Sequence, residues 1–439
     1  MKRLVSALAL VAVSGLLNAA DLSQQVKQDY DAHLGALFDH FHRNPELSLM
    51  EHKTAARLAK ELRDAGYDVT ENVGGTGVVA ILKNGPGPLV MMRADMDGLP
   101  VEEKSGLPNA SKAKQRDWDG NEVYVMHACG HDVHMTSLVG TARAMAAARD
   151  KWSGTLMLIG QPAEERVAGA RAMMADKLWQ RFGKPDYALA FHVASTLPTG
   201  KLAAVVGAAY SGADTVDIIV HGVGAHGASP HAGIDPVLLG SQIVVALQSV
   251  ISREMPPREA GVITVGSFHA GTKHNIISDR AHLQLTVRHD DPKVRTVLLE
   301  GIKRVAVNMG RVAGLPDDKL PEVIVSNESV PPTQNDHALT KRLRGVWRDK
   351  LGKDILFEGK RAGMGAEDFP VFTKEPAIPS TYFAVGGTPP EDFVRAEKGG
   401  KPVATHHSPL FKIAAEPSVR LGVEATVVAL LDLLQKPAK

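Results

Sequence analysis

Residues 154–165 read GTLMLIGQPAEE, an unbroken apolar run that ends in two adjacent glutamates. A short continuous apolar run is typical of a strand that is buried on both faces of a sheet. Another such run lies at residues 187–191, and helical patterns lie at residues 54–65 and at about residues 134–149. Buried strands that alternate with helices predict an α/β domain with a mostly parallel central sheet flanked by helices. The polar motifs follow the strand ends, where such sheets place their sites.

The middle of the chain has a different pattern. Strand patterns lie at residues 215–220, 262–268, 281–288 and 322–326, and helical patterns lie at residues 236–251 and 293–309. The resulting order βαββαβ is typical of a ferredoxin-like domain. We therefore predict a main α/β domain, which would carry the site, formed by residues 21–208 and 323–439 and interrupted by an inserted domain at residues 209–322.

Length and charge limit the possible classes of protein. A chain of 439 residues exceeds the usual size of a single core, which favours more than one domain. Lys2 and Arg3 precede an apolar stretch and two small residues at 19–20, which predicts a signal peptide over residues 1–20. Without it the chain has 48 basic and 49 acidic residues, so no basic field would attract nucleic acid. No later segment looks apolar enough to cross a bilayer. We expect a periplasmic or secreted protein without stable membrane insertion.

The only cysteine, Cys129, lies in the run HACGHDVH at residues 127–134. An exported protein normally pairs its cysteines, and this chain offers no partner. A thiol this close to imidazoles is suited to bind a metal or to act as a nucleophile. The motif alone leaves both uses open.

Other candidate residues are individually weak signals. Glu164 and Glu165 could be an ordinary acidic turn, and His192 could be a structural histidine at the end of an apolar strand. The pair His406 and His407 lies in a polar loop near the C-terminus. Together with the cysteine motif, these residues supply sulfur, nitrogen and oxygen donors for two divalent ions.

The sequence resembles the metal-dependent aminoacylase and carboxypeptidase G superfamily, in the amidohydrolase branch of hippurate hydrolases and plant indoleacetyl-amino-acid hydrolases. The resemblance spans about residues 29 to 434. It is carried by nine segments in the same order: MRADMDGLP, MHACGHDVHM, QPAEE, FHV, GAHGASPHAGIDP, HNII, TVRH, GAEDF and HHSP.

This resemblance implies roles for individual residues. Two divalent ions, Mn²⁺ or Zn²⁺, would bind to five side chains with the thiolate bridging them: Cys129, His131, Glu165, His192 and His407. Glu164 would be the general base. The inserted domain would be a lid and dimerisation module of a homodimer, and its residue His226 would reach the partner subunit's site and stabilise the oxyanion. Asn275 and Arg288 would hold the polar end of the substrate.

In this branch Arg93 stands where other relatives carry a metal-binding histidine, so the resemblance implies that Arg93 is not a ligand and that Asp95 would at most support one. The chain itself departs from the family pattern in two places: Arg166 and Val167 replace a usual pair of glycines, and His406 precedes the ligand histidine. These changes bear on the rim of the pocket more than on the chemistry.

The expected activity is hydrolysis of the amide bond in N-acyl amino acids, hippurate-like or N-acetylated, which releases a carboxylic acid and an amino acid. One alternative is a dipeptidase or carboxypeptidase that acts on short peptides. A second uses Cys129 as a nucleophile. A third is a non-catalytic periplasmic protein that binds metal or small ligands.

Overall fold

The computed structural model describes residues 19–359, 361 and 363–436. All but the last two residues of the predicted signal peptide lie outside this part of the chain. Residues 19 and 20 begin the first helix.

The described residues form helices and strands with the following bounds. The helices are α1 (Ala19–Asp29), α2 (Gly35–Arg43), α3 (His52–Asp64), α4 (His131–Ala147), α5 (Gly169–Ala175), α6 (Leu178–Phe182), α7 (Pro236–Ser249), α8 (Pro292–Val312), α9 (His337–Leu351), α10 (Pro370–Thr373), α11 (Pro390–Glu397) and α12 (Ala415–Leu433). The strands are β1 (Asp68–Val73), β2 (Gly77–Asn84), β3 (Leu89–Asp95), β4 (Lys114–Arg116), β5 (Glu122–Tyr124), β6 (Gly154–Gln161), β7 (Tyr187–Pro198), β8 (Leu202–Ala203), β9 (Gly207–Tyr210), β10 (Gly212–His221), β11 (Ala225–His226), β12 (Gly261–Ala270), β13 (Ile276–Ile277), β14 (Arg280–His289), β15 (Glu322–Val325), β16 (Thr333–Asn335) and β17 (Ser380–Thr388).

The larger sheet has the strand order β1-β2-β6-β3-β7-β17-β8. Its four central strands, β6, β3, β7 and β17, are mutually parallel. The outer strands β1, β2 and β8 join antiparallel. The predicted α/β class is therefore confirmed, and the sheet is mixed because β2 and β8 run antiparallel to the central strands.

Strand β6 explains why the sequence at residues 154–165 is apolar without interruption. Leu156 and Leu158 face the core beneath α4 and α12. Met157 and Ile159 face the opposite core, which includes residues of α5, α6 and α10. Because successive side chains point to opposite faces, a strand covered on both sides needs apolar residues at every position.

The second sheet has the order β12-β14-β10-β15, with antiparallel pairs throughout. Helices α7 and α8 pack on it around a separate core. This is the predicted βαββαβ arrangement. The inserted domain is predicted to end at residue 322, but its last strand, β15, continues to Val325. The chain then returns through β16, which pairs with β9 beside the larger sheet.

The segment that contains helix α7 contradicts the prediction that no segment after the signal peptide is apolar enough to cross a bilayer. Residues Pro236–Glu254 are long and apolar enough, by length and composition, to cross a bilayer. One face of this segment packs in the core of the second sheet, through Ile243 and Leu247. Leu238 and Val245 on the other face are 58% and 73% exposed. A helix that packs in a domain core passes the same test of length and composition, and α7 is such a helix.

Candidate metal centre

The candidate ligands lie at the carboxyl edge of the parallel strands and in the loops beside it. Cys129 lies in the loop before α4, and His131 is the first residue of that helix. Gly130 joins them with a φ of +84°, in the left-handed region that favours glycine. A Cβ atom at this position would lie 2.4 Å from Cγ1 of Val193. Glycine therefore allows the two ligands to approach strand β7.

The structure brings all five predicted ligands together in two compact groups. In each group the possible ligand atoms lie within 4.8 Å of one another. One group is Cys129, His131 and His192, and the other is Cys129, Glu165 and His407. The Cys129 Sγ atom lies 3.4 Å from Nε2 of His192. The two groups share the sulfur atom, the arrangement that a thiolate bridging two cations requires.

Neighbouring groups orient two of the imidazoles. Nδ1 of His131 lies 3.3 Å from Oδ1 of Asp97. Oδ2 of Asp97 accepts hydrogen bonds from the Ser48 hydroxyl at 2.6 Å and from the Glu165 backbone N–H at 3.0 Å. Nδ1 of His192 donates to the carbonyl of Val193 at 2.7 Å. In both imidazoles Nδ1 faces a neighbouring oxygen, and Nε2 can therefore bind a metal ion. Metal-binding histidines are commonly oriented in this way by a group at the other ring nitrogen.

His134 and Asp95 also lie close to His131, but their atoms are already used. Nε2 of His134 accepts from the Val193 backbone N–H at 2.9 Å, and its Nδ1 lies 2.5 Å from Oδ1 of Asp95. The other carboxylate oxygen of Asp95 binds Arg93 at 2.5 Å. These residues therefore support the centre from outside.

Arg93 is fully buried and contacts a group of acids that are not among the predicted site residues. Its guanidinium binds Glu367 at 2.9 Å and Gln161 at 2.7 Å, and lies 3.4 Å from Asp368. Both acids belong to the GAEDF segment. Their negative charge lies close to Glu164, because carboxylate oxygens of all three residues lie within 4.8 Å of one another.

The donor set fits divalent cations. Nε2 of His131 and Oε1 of Glu165 are buried, have no hydrogen-bond partner among the described residues, and lie 4.0 Å apart. Buried polar atoms normally have partners. A cation between such atoms would supply one, because nitrogen, oxygen and sulfur donors of this kind suit zinc or manganese.

Burial raises the pKa of the Cys129 thiol well above its ordinary range, and Glu165 and Glu164 add to the effect. Both a nucleophilic and a metal-binding cysteine need the thiolate, so either role requires added positive charge at this position, which a bound cation would supply. Burial also raises the pKa of Glu164, and the carboxylates of Glu367 and Glu165 raise it further. Burial alone would lower the pKa of His131, but Asp95 and Asp97 raise it to about 10.

The three predicted residues of the inserted domain belong to neither compact group. His226 and Asn275 are neighbours and both are exposed, since β11 pairs with β13 and the Gly227 N–H donates to the Asn275 carbonyl at 2.8 Å. Arg288 is partly buried on β14, and its Nε donates to the Thr286 hydroxyl at 3.1 Å. Burial lowers the pKa of Arg288, and no carboxylate pairs with it within the described residues.

Two aromatic residues near the centre were missed. The ring of Tyr210 lies 6.3 Å from that of His192, and its pKa is raised by burial and by nearby Glu367. Trp118 stacks against Arg166. Neither residue belongs to a recognisable motif, so only the folded chain shows their position.

Comparison with known proteins identifies the family. Residues 91–399 match the family model described as peptidase family M20/M25/M40. The chain therefore belongs to this family of hydrolases, and the predicted superfamily and branch are confirmed.

Relatives and a solved structure agree with this assignment. The hippurate hydrolase of Campylobacter jejuni is 36% identical over 336 residues, which cover 75% of this chain and 82% of the relative. Thermostable carboxypeptidase 2 of Saccharolobus solfataricus is 34% identical over 399 residues, which cover 90% and 94%. The structure of the Bacillus subtilis YXEP protein, described as a dinuclear metal-binding peptidase, is 25% identical, with a TM-score of 0.75 over 93% of this chain and 99% of that chain. At the level of the family, the predictions of a hydrolase and of a cofactor of two metal ions are confirmed.

Replacing Gly130 with alanine should destabilise the protein by about 1–3 kcal/mol for the unfavourable φ, with a further loss from the contact with Val193. Denaturant unfolding of the metal-free protein measures this effect. Gly120→Ala is a matched control, because Gly120 has a φ of +85° and a Cβ atom placed there would meet nothing within 4 Å. Equal losses in the two variants would show that the close approach to Val193 is unimportant.

Replacing Asp97 with asparagine should weaken metal binding by about 10- to 100-fold, because the amide holds the His131 ring less firmly. Competition with a chromophoric chelator measures the affinity. Asp119→Asn, on an exposed turn, should leave the affinity unchanged. Wild-type affinity in Asp97→Asn would remove this residue from the support of the centre.

Proposed function

We propose that the protein hydrolyses the amide bond of N-acyl amino acids and releases a carboxylic acid and an amino acid. The observation that carries the proposal is the pair of ligand groups that share Cys129, with the carboxylate of Glu164 beside them. The relation to a hippurate hydrolase supports the substrate class.

Five residues would hold two divalent ions: Cys129, His131, Glu165, His192 and His407. The thiolate favours zinc, and the mixed nitrogen and oxygen donors also suit manganese. When bound, the ions polarise the scissile carbonyl and acidify water.

Glu164 rather than Glu165 would act as the base. Both carboxylates lie near Nε2 of His131, at 3.9 Å for Glu164 and 4.0 Å for Glu165, but Glu165 also lies 3.4 Å from Nε2 of His407. The Glu164 carboxylate has no close hydrogen-bond partner among the described residues. It would take the proton of the attacking water and deliver it to the leaving nitrogen. A raised pKa helps a carboxylate to hold this proton between the two steps.

The inserted domain would hold the amino-acid part of the substrate. Arg288 has donors in a planar fork and no carboxylate partner in the described chain, so it suits the free carboxylate of an N-acyl amino acid. Asn275 would add an amide contact. The exposed His226 would donate to the oxyanion from the partner subunit.

The same domain offers a surface for a homodimer. Strand β12 lies at the edge of its sheet, where it pairs with β14 alone among the described strands, and its residue Phe268 is 36% exposed. Leu238 and Val245 of α7 add exposed apolar area. Open edges and apolar patches are normally covered, and a second copy of the chain would cover both.

On the pattern of residues 1–20, we also propose that the protein is periplasmic or secreted.

Replacing Glu164 with glutamine should retain both metal ions and lower kcat by about 100- to 10,000-fold, since a general base contributes this much. Metal content by mass spectrometry and hydrolysis of hippurate and N-acetyl amino acids are the measurements. Activity near wild type would remove Glu164 from the role of base. Failure of the metal-loaded wild type on every N-acyl amino acid tested would contradict the proposed function.

Peptide hydrolysis is the second candidate, because thermostable carboxypeptidase 2 covers more of this chain than the hippurate hydrolase does. Dipeptides and N-blocked dipeptides therefore belong in the same substrate panel. A kcat/KM for peptides above that for N-acyl amino acids would favour this candidate.

Mixing two inactive variants tests whether His226 acts across the dimer. Glu164→Gln and His226→Ala homodimers should each lose activity, and subunit exchange should restore up to about a quarter of it, because half of the dimers then contain one intact site. Activity after exchange is the measurement. No recovery, despite exchange shown by native mass spectrometry, would place His226 in its own subunit's site or outside any site.

A further inference from the structure

Arg166 and Trp118 form a pair at the edge of the metal centre, which we call the rim pair. The guanidinium carbon of Arg166 lies 4.1 Å from the centre of the Trp118 ring, within the range of a cation–π contact. We propose that the rim pair recognises a second carboxylate on the acyl group of the substrate. This inference rests on the proposed function and concerns its substrate class.

Both members of the rim pair are tied to ligands of the centre. Arg166 directly follows Glu165 in the chain. The Trp118 indole N–H donates to the Ser48 carbonyl at 3.2 Å, and the Ser48 hydroxyl donates to Asp97, which lies against His131. The rim pair is therefore linked to the centre through both of its members.

The turn that carries Arg166 is held firmly. The Val167 N–H donates to the Glu164 carbonyl at 2.7 Å, and the Ala168 N–H donates to the Ala163 carbonyl at 3.1 Å. Val167 has a φ of +54°, which is unfavourable for a β-branched residue. Backbone strain of this kind persists where the surroundings impose it, and it is concentrated at functional sites.

The charge of Arg166 has no carboxylate partner within the described residues. Arg63 and Arg342, by contrast, pair with Glu71 and Asp432. The Arg166 guanidinium lies over the Trp118 ring, and no described residue accepts a hydrogen bond from it. A planar edge of donors binds a carboxylate through two parallel hydrogen bonds.

The acyl end is the part of the substrate left for the rim pair. In the proposed function Arg288 of the inserted domain holds the carboxylate of the amino acid, whereas Arg166 belongs to the catalytic domain. An aromatic acyl group would have to displace Arg166 from the indole face in order to stack there. A carboxylate leaves this contact intact, so a dicarboxylic acyl group such as succinyl fits better.

The test compares two nearly isosteric substrates, N-succinyl-L-alanine and its neutral amide, N-succinamoyl-L-alanine. The metal-loaded wild type should prefer the carboxylate by about tenfold or more in kcat/KM, as expected for hydrogen bonds to a charged group. Arg166→Gln should bring this ratio close to one. Arg166→Lys, which keeps the charge but loses the fork, should retain part of it. Calorimetric titration of the Glu164→Gln variant with both substrates should show the same preference in Kd.

Arg116→Gln is the matched control, since Arg116 lies close to Trp118 in sequence and donates to the Gly120 carbonyl at 2.9 Å. It removes the same charge and should leave the ratio unchanged. A wild-type ratio near one, or a ratio that survives in Arg166→Gln, overturns the inference. A preference for N-acetyl-L-glutamate over N-acetyl-L-glutamine without a succinyl preference also overturns it, because the rim pair would then contact the amino acid. Turnover of N-acetyl-L-alanine in each case shows that the proposed function itself stands.

Discussion

The parallel pairing of β6, β3, β7 and β17 is the constraint on which the site depends. Parallel strands end at the same edge of a sheet, so the residues that follow them converge although they are distant in sequence. Glu164 and Glu165 follow β6, Asp97 follows β3, and His192 lies in β7. Both faces of this sheet are packed with apolar side chains. Close packing therefore holds the strand ends, and with them the ligands, in fixed positions.

Charge decides what these positions can hold. Carboxylates whose side chains are at most a tenth exposed surround the centre: Asp95, Asp97, Glu164, Glu165, Glu367 and Asp368. Arg93 contacts Asp95, Glu367 and Asp368, and the other three face histidines. Unpaired buried charge is costly. The three acids that do not contact Arg93, namely Asp97, Glu164 and Glu165, therefore need added positive charge. Against the effect of burial, Asp95 and Asp97 raise the pKa of His131, which is the direction expected if a proton supplies part of it. Protons and metal ions would therefore compete for the same nitrogen.

The sequence predicts the fold class correctly, and the structure brings the five predicted ligands together. The apolar runs of β6 and β7 mark buried strands by local pattern alone, whereas the prediction of the ligand set depends on the family motifs. The support of His131 by Asp97 could not be predicted, because it depends on a distance between residues 34 positions apart. The antiparallel direction of β2 and β8 in the larger sheet depends on strand pairing, which periodicity does not encode. Hydropathy alone misjudges α7, because one face of this helix packs in a core and the other stays exposed.

In the proposed function, the division of the chain into two domains separates chemistry from recognition. The domain of the larger sheet would supply the metal ligands and the base, and these residues lie together within one chain. His226, Asn275 and Arg288 lie on the inserted domain, outside both ligand groups of the described chain. A site divided in this way, as the proposed function requires, is completed only when substrate or a second subunit brings the inserted domain to it. If the inserted domain joined the site only after the substrate had bound, it would exclude water from the reacting groups. The two-fold symmetry of a homodimer would complete both sites by the same contact. The inserted domain would therefore need an exposed edge strand and an apolar helix face, and β12 and α7 provide them.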